Sequence, residues 1–224
     1  MIATLLKKYQ NTNLRYKLAF FLLNRYFGLN DREDFIRKAM QYIRDNRLTG
    51  DYLEFGVYKG ESFCASYYFS KLIVRNDMLF YAFDSFEGLP KVKEESRFYE
   101  GQYCISKEGF KDILKKRKVN LWYVGIVGGW FKDLHIKRNV GINKASFIYI
   151  DCDLYESTVS VLEYVTPYIQ NGTLIAFDDW NMFKGNKNKG EKRAFLEWLR
   201  KHKNITAVEF LRFGYHGNSF ILNT

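Results

Sequence analysis

Short apolar runs alternate with amphipathic stretches of helical spacing from residue 50 to the end of this chain. Two of the runs, Phe147-Ile148-Tyr149-Ile150 and Leu174-Ile175-Ala176-Phe177, contain no polar position. That is the pattern of strands covered on both faces in a parallel sheet. Strands are predicted over residues 52–57, 79–84, 121–126, 147–151, 173–178, 207–213 and 219–222, and helices over 61–74, 107–118, 131–138, 157–169 and 191–202. The last two strands are joined by Gly214-Tyr215-His216-Gly217, which is turn chemistry with no room for a helix, so they are expected to pair antiparallel. The order predicts an α/β fold: a doubly wound, mostly parallel seven-stranded sheet with a C-terminal antiparallel hairpin that puts one reversed strand at its end. Residues 1–49 read as a helical extension to a domain spanning 50–224. Leu14, Leu18, Phe21 and Leu22 share one helical face, and Asp31 caps a second helix running to about Asn46. That apolar face needs a partner, either the domain's own sheet or a neighbouring subunit in a homo-oligomer.

Both uninterrupted runs end in acid. Asp151-Cys152-Asp153 follows the first and Asp178-Asp179 the second, and carboxyl ends of strands are where open α/β sheets bind ligands. Carboxylates after strands often only cap the next helix. Adjacent like charges at a buried sheet edge repel, however, and two such clusters at neighbouring strand ends favour a divalent cation held by hard oxygen donors. Upstream, Glu54-x-Gly56-x-x-x-Gly60 joins the first strand to a helix. Gly56 allows a sharp turn and Gly60 opens the helix, without the G-x-G-x-x-G spacing of a dinucleotide cradle. Asp84 ends the second strand 24 residues after Gly60, where an acid accepts hydrogen bonds from a ribose diol. Loop and acid together favour a nucleoside ligand without a pyrophosphate, and the whole points to a metal-assisted transferase.

The 224 residues suffice for one α/β domain with a full core, and 47% hydrophobic content excludes a disordered chain. A net charge of +10 permits an acidic partner without demanding one. Three cysteines, Cys64, Cys104 and Cys152, with no CxxC pair, argue against a disulfide framework or zinc knuckle. His135, His202 and His216 lack ligand spacing. The run from Leu18 to Leu23 is too short to span a bilayer and no cleavable signal pattern is visible, so a cytoplasmic protein is expected. The polar stretch after Pro90, with Tyr99 and Tyr103, reads as a lid. The basic run 184–193 is most often a solvated surface, and lies where it would attract an anionic acceptor.

Four blocks, in this order, resemble the macrocin O-methyltransferase family: Leu53-Glu54-Phe55-Gly56-Val57-Tyr58-Lys59-Gly60, Phe83-Asp84-Ser85-Phe86-Glu87-Gly88-Leu89-Pro90, Ile150-Asp151-Cys152-Asp153-Leu154-Tyr155-Glu156-Ser157-Thr158, and Asp178-Asp179-Trp180. The resemblance implies a class I, Rossmann-like S-adenosylmethionine (SAM) fold and Mg²⁺-dependent methylation of hydroxyls on sugars or related natural-product or polysaccharide acceptors, with Mn²⁺ able to replace Mg²⁺. Carried over by position, Glu54, Gly56 and Gly60 line the methionine and ribose part of SAM. Asp84 binds the ribose diol with Ser85 nearby, and Trp130 edges the adenine. Asp151, Asp178 and Asp179 fall on the metal-ligand positions. Asp151 and Asp153 are the candidates for catalysis, Asp153 being either a further ligand or the general base. In such enzymes additions to the core commonly build the acceptor pocket, which makes residues 1–49 an acceptor cap or an oligomer contact.

Two other classes compete. Asp151-Cys152-Asp153 also spells the DxD motif of a metal-dependent glycosyltransferase, against which the glycine loop and Asp84 argue. Nucleic acid is disfavoured as a partner: neither a Pro-Pro-Tyr/Phe/Trp nor a Pro-Cys motif occurs.

Overall fold

The computed structural model describes residues 31–75, 77–91, 98–137 and 140–224. The helix expected around Leu14 to Leu22 and part of the stretch read as a lid, residues 92–97, lie outside the described residues. In chain order the helices are α1 (Asp31–Asp45), α2 (Glu61–Phe69), α3 (Lys107–Lys116), α4 (Tyr155–Val165) and α5 (Gly190–Lys201). The strands are β1 (Asp51–Phe55), β2 (Phe80–Asp84), β3 (Val124–Gly128), β4 (Ala145–Ile150), β5 (Thr173–Phe177), β6 (Thr206–Phe213) and β7 (Gly217–Asn223). They form one seven-stranded sheet in the order β3-β2-β1-β4-β5-β7-β6. The pairs among β1 to β5 are parallel, and β7 runs antiparallel to both β5 and β6.

The hairpin forms as its turn chemistry predicts, but the reversed strand does not close the sheet. β7 inserts beside β5 and leaves β6 at the edge. The burial of the two strands accounts for the choice: β7 buries Gly217, Asn218, Ser219 and Leu222, whereas most of β6 is partly or wholly exposed. Other boundaries move for local reasons. The Asn120 side chain accepts the Trp122 N–H at 3.0 Å and holds Leu121–Tyr123 in a 3-10 turn, so β3 starts only at Val124. The helix predicted over 61–74 changes at its end to a π-helix, Ser70–Val74. Pro167 lacks an N–H and cannot continue α4, which ends at Val165 in a 3-10 turn. Residues Phe131–Lys137 are likewise 3-10 rather than α-helix.

Strand alternation divides the core. Leu53, Phe55, Ile148 and Ile150 meet Val161 and Leu162 of α4 and Phe195 and Trp198 of α5. Tyr52, Phe80, Phe147 and Tyr149 face the other way, onto α1, α2 and α3. The buried stripe of α1 (Phe35, Ile36, Ala39, Met40 and Ile43) is thus covered by the domain's own sheet. Phe35 stacks on Phe213 at 4.0 Å, and the Tyr42 hydroxyl donates to the Gly172 carbonyl at 3.0 Å.

Phe147 is fully buried, with its ring against Phe35, Tyr52 and Tyr149. Replacing it with alanine should cost about 3–5 kcal/mol of unfolding free energy, the usual range for deleting a buried aromatic ring. Urea denaturation would show this as a lower midpoint at an unchanged slope.

Candidate active site

The carboxyl ends of β1, β2, β4 and β5 open onto a cleft of about 950 Å³. Gly56, just past β1, has φ +86°, and a Cβ there would lie 1.9 Å from the Asp151 carbonyl oxygen. A side chain at 56 would drive β1 and β4 apart. The loop continues to Gly60, whose φ is +66° and whose Cβ would meet the Phe110 ring at 2.9 Å. Asp84 bolts this loop to β2. Its Oδ2 accepts the Val57 and Tyr58 N–H groups at 2.9 and 3.3 Å, and Oδ1 accepts Phe86 N–H at 2.8 Å. Ser85 Oγ donates to the Gly88 carbonyl at 2.8 Å.

Of the six residues expected around a nucleoside cofactor, Gly56, Asp84, Ser85 and Trp130 line the cleft. Glu54 and Gly60 stand behind its wall. Glu54 is fully buried, accepting hydrogen bonds from the Tyr52 hydroxyl and from Ser62 Oγ, the latter at 2.7 Å. Burial pushes its carboxyl up to about 8, against the opposing pull of those two hydrogen bonds and the Arg32 charge.

Oxygens of Asp151, Asp153 and Asp179 converge within 4.8 Å of one another. The set differs from the Asp151, Asp178 and Asp179 expected from sequence: Asp153 joins the cluster and Asp178 stands outside it. Asp178 is held from the α1 side. Arg32 donates to its Oδ2 at 2.8 Å and the Tyr149 hydroxyl to its Oδ1 at 2.5 Å. Burial opposes the Arg32 charge, yet the surrounding field of Tyr149, Asp178, Asp151 and Glu54 outweighs it and raises the guanidinium's pKa. Asp153 has φ +58°, in a three-residue turn closed by the Leu154 N–H on the Cys152 carbonyl at 2.6 Å. A non-glycine residue in this region costs on the order of 1–3 kcal/mol, and such strain gathers at functional sites.

Burial and mutual repulsion push the carboxyls of Asp151 and Asp179 well above their ordinary range, and Asp153 is raised to about 6, chiefly by burial. Glu191, in the first turn of α5, adds a further buried carboxylate: it accepts the Cys152 N–H at 3.2 Å and the Asp179 N–H at 3.0 Å. Sequence reading missed both Glu191 and Arg32. Glu191 sits in a run whose basic residues read as solvated surface, and Arg32 follows Asp31, which read as the cap of a helix with no sign of a partner at the sheet edge.

In this mostly parallel α/β sheet a glycine turn after β1, an acid ending β2 and carboxylates ending β4 and β5 meet at one cleft with an oxygen-rich pole, at the edge where open α/β sheets bind ligands. The chain belongs to the macrocin O-methyltransferase (TylF) family, whose model matches residues 28–209. It is 26% identical over 162 residues to the 8-demethyl-8-(2,3-dimethoxy-alpha-L-rhamnosyl)-tetracenomycin-C 4'-O-methyltransferase of Streptomyces olivaceus, a match over 66% of this chain and 60% of that protein. It is also 26% identical over 158 residues to the demethyldecarbamoylnovobiocin O-methyltransferase of Streptomyces niveus, covering 66% and 59%. The chain thus spans about three-fifths of the length of these relatives. Among solved structures, the O-methyltransferase NovP superposes with a TM-score of 0.71 at 23% identity, over 87% of this chain and 80% of that one. CalS11, a calicheamicin methyltransferase, gives 0.67 at 18% identity over 98% and 89%. These likenesses establish the fold. Among the described residues, no helix is long and apolar enough to cross a membrane.

The raised Glu54 carboxyl makes a pH prediction. A carboxyl near 8 in the fold and near 4.5 when free contributes stability that is complete below about 4.5 and is lost as pH rises toward 8. The metal-free protein should therefore melt at progressively lower temperature across that window. Glu54→Gln, which cannot ionise, should flatten the profile measurably in a thermal scan. An unchanged slope would show that Glu54 is not protonated in the fold.

Proposed function

We propose that the protein is a SAM-dependent, Mg²⁺-assisted O-methyltransferase acting on a hydroxyl of a sugar or a related natural-product or polysaccharide acceptor. The observation that carries the reading is the convergence of Asp151, Asp153 and Asp179 beside the cleft in a chain of this family. The residues fit a hard divalent cation: the donors are all carboxylate oxygens, and repulsion among them is the condition a cation relieves. Mn²⁺ satisfies the same donors. The cleft is large enough for a nucleoside cofactor together with an acceptor. The two curated relatives are named as O-methyltransferases of a rhamnosyl-tetracenomycin and of demethyldecarbamoylnovobiocin, which supports a natural-product acceptor and, from the first, a sugar-bearing one. Family membership favours methyl transfer over the glycosyl transfer that a DxD motif also spells.

In this reading Asp84 and Ser85 hold the ribose, Gly56 leaves room for close backbone approach, and Trp130 borders the base. Glu54 and Gly60 support the loop from behind. Asp151 and Asp179 would hold the cation, with Asp178 as third ligand by its family position once an oxygen is released from Arg32 or Tyr149. When bound, SAM supplies the methyl group on a sulfonium, and the cation lowers the pKa of an acceptor hydroxyl. Asp153 takes that hydroxyl's proton at its carboxylate. Tyr103, whose ring meets Tyr58 at 5.7 Å, closes one side of the cleft against water. A second reading has its own support: the clustering of Asp153 with Asp151 and Asp179 suits it as a cation ligand in place of Asp178.

Three measurements check the proposal. Isothermal titration should detect SAM binding, and Asp84→Ala should weaken it by about 1–3 kcal/mol, the cost of leaving buried polar groups without a partner. Chelation should abolish turnover and Mg²⁺ restore it; full activity in excess chelator ends the metal role. Asp153→Asn should lower kcat by about 10²–10⁴, the usual contribution of a general base, while Mg²⁺ binding persists. Loss of Mg²⁺ binding in that variant would make Asp153 a ligand.

A further inference from the structure

We infer that Glu191 is a positioning residue that sets the distance between the two acid-bearing strand ends, and through that distance the affinity for the cation. The inference rests on the metal-assisted reading above. The last rung of the β4–β5 ladder is the Asp178 N–H to the Ile150 carbonyl at 2.9 Å. Beyond it the chains leave the sheet, and the next relevant amides turn to one side chain. Oε1 of Glu191 accepts from Cys152 N–H at 3.2 Å, and Oε2 from Asp179 N–H at 3.0 Å. The two amides belong to the Asp151–Cys152 and Asp178–Asp179 peptides, so a single carboxyl group bridges the backbone units that carry Asp151, Asp178 and Asp179, with Asp153 one residue beyond. Glu191 is fully buried and anchored in the 12-residue helix α5, which packs on α4 and β5 through Phe195 and Trp198. Its position is therefore fixed by the core rather than by the site.

The chemistry of the contact requires a carboxyl group. Both partners are donors, and the glutamate side chain sets an acceptor oxygen in front of each. Glutamine would turn an NH₂ toward one of the two amides, and the strand ends would part. A fifth acid beside Asp151, Asp153, Asp178 and Asp179 gives them no charge relief. Its contribution is accordingly geometric: it holds two backbones at a fixed separation, and donor positions held in advance raise cation affinity without a direct bond.

The test uses Glu191→Gln and the shorter Glu191→Asp in the full chain saturated with S-adenosylhomocysteine. Mn²⁺ is titrated in, and the free ion is read by electron paramagnetic resonance. The Kd for Mn²⁺ should rise tenfold or more in Glu191→Gln and by a smaller factor in Glu191→Asp, while the Kd for SAM stays within twofold of the parent. Parent-like Mn²⁺ affinity in either folded variant overturns the inference. So does a parallel loss of SAM and Mn²⁺ binding, or failure of both variants to fold, because each marks a general structural role. A parent protein that binds no Mn²⁺ rejects the metal-assisted reading itself, and that result is visible before any variant is measured.

Discussion

Parallel pairing of β4 with β5 is the constraint on which the site depends. Ile150 lies opposite Phe177, so the residues that follow, Asp151 and Asp178, emerge side by side at the sheet's carboxyl edge. Strand side chains alternate, and a slip of one residue would send Ile148 and Ile150 to the face now held by Phe147 and Tyr149. The apolar cores on both faces therefore lock the register, and the register brings the acids together. Gly56 completes the arrangement from the other side of β4, where absence of a Cβ lets the end of β1 approach the Asp151 carbonyl.

The fold was legible because its signals are local. Uninterrupted apolar runs marked β4 and β5, and glycines 214 and 217 marked the hairpin. What escaped was set by tertiary context. The insertion of β7 beside β5 depends on relative burial of two strands that look alike in periodicity. The 3-10 turn before β3 depends on one asparagine side chain. At the site, the acids after strands could be read from position alone. Their grouping could not: Asp153 turns into the cluster through a backbone conformation, and Asp178 is drawn aside by Arg32, a residue 146 positions away in sequence. Glu191 was hidden for a related reason, since nothing in a lysine-rich run signals a carboxylate aimed at two backbone amides.

The site concentrates what the rest of the molecule avoids. Five acids, Asp151, Asp153, Asp178, Asp179 and Glu191, crowd one sheet edge, and among the described residues Arg32 is the base ion-paired to one of them. Such a cluster opposes folding, and the two aromatic-rich cores offset it. Arg32 begins α1, whose apolar stripe is packed into the second of those cores, so charge relief at the site is delivered by an element secured elsewhere.

The left-handed backbone at Asp153 has an evolutionary corollary. Only glycine, asparagine and aspartate adopt that conformation readily, so the turn filters substitutions before chemistry does. Of the three, aspartate alone carries a charge. Drift at this position is thereby channelled toward glycine and asparagine, which keep the turn and the cleft and take one acid out of the cluster.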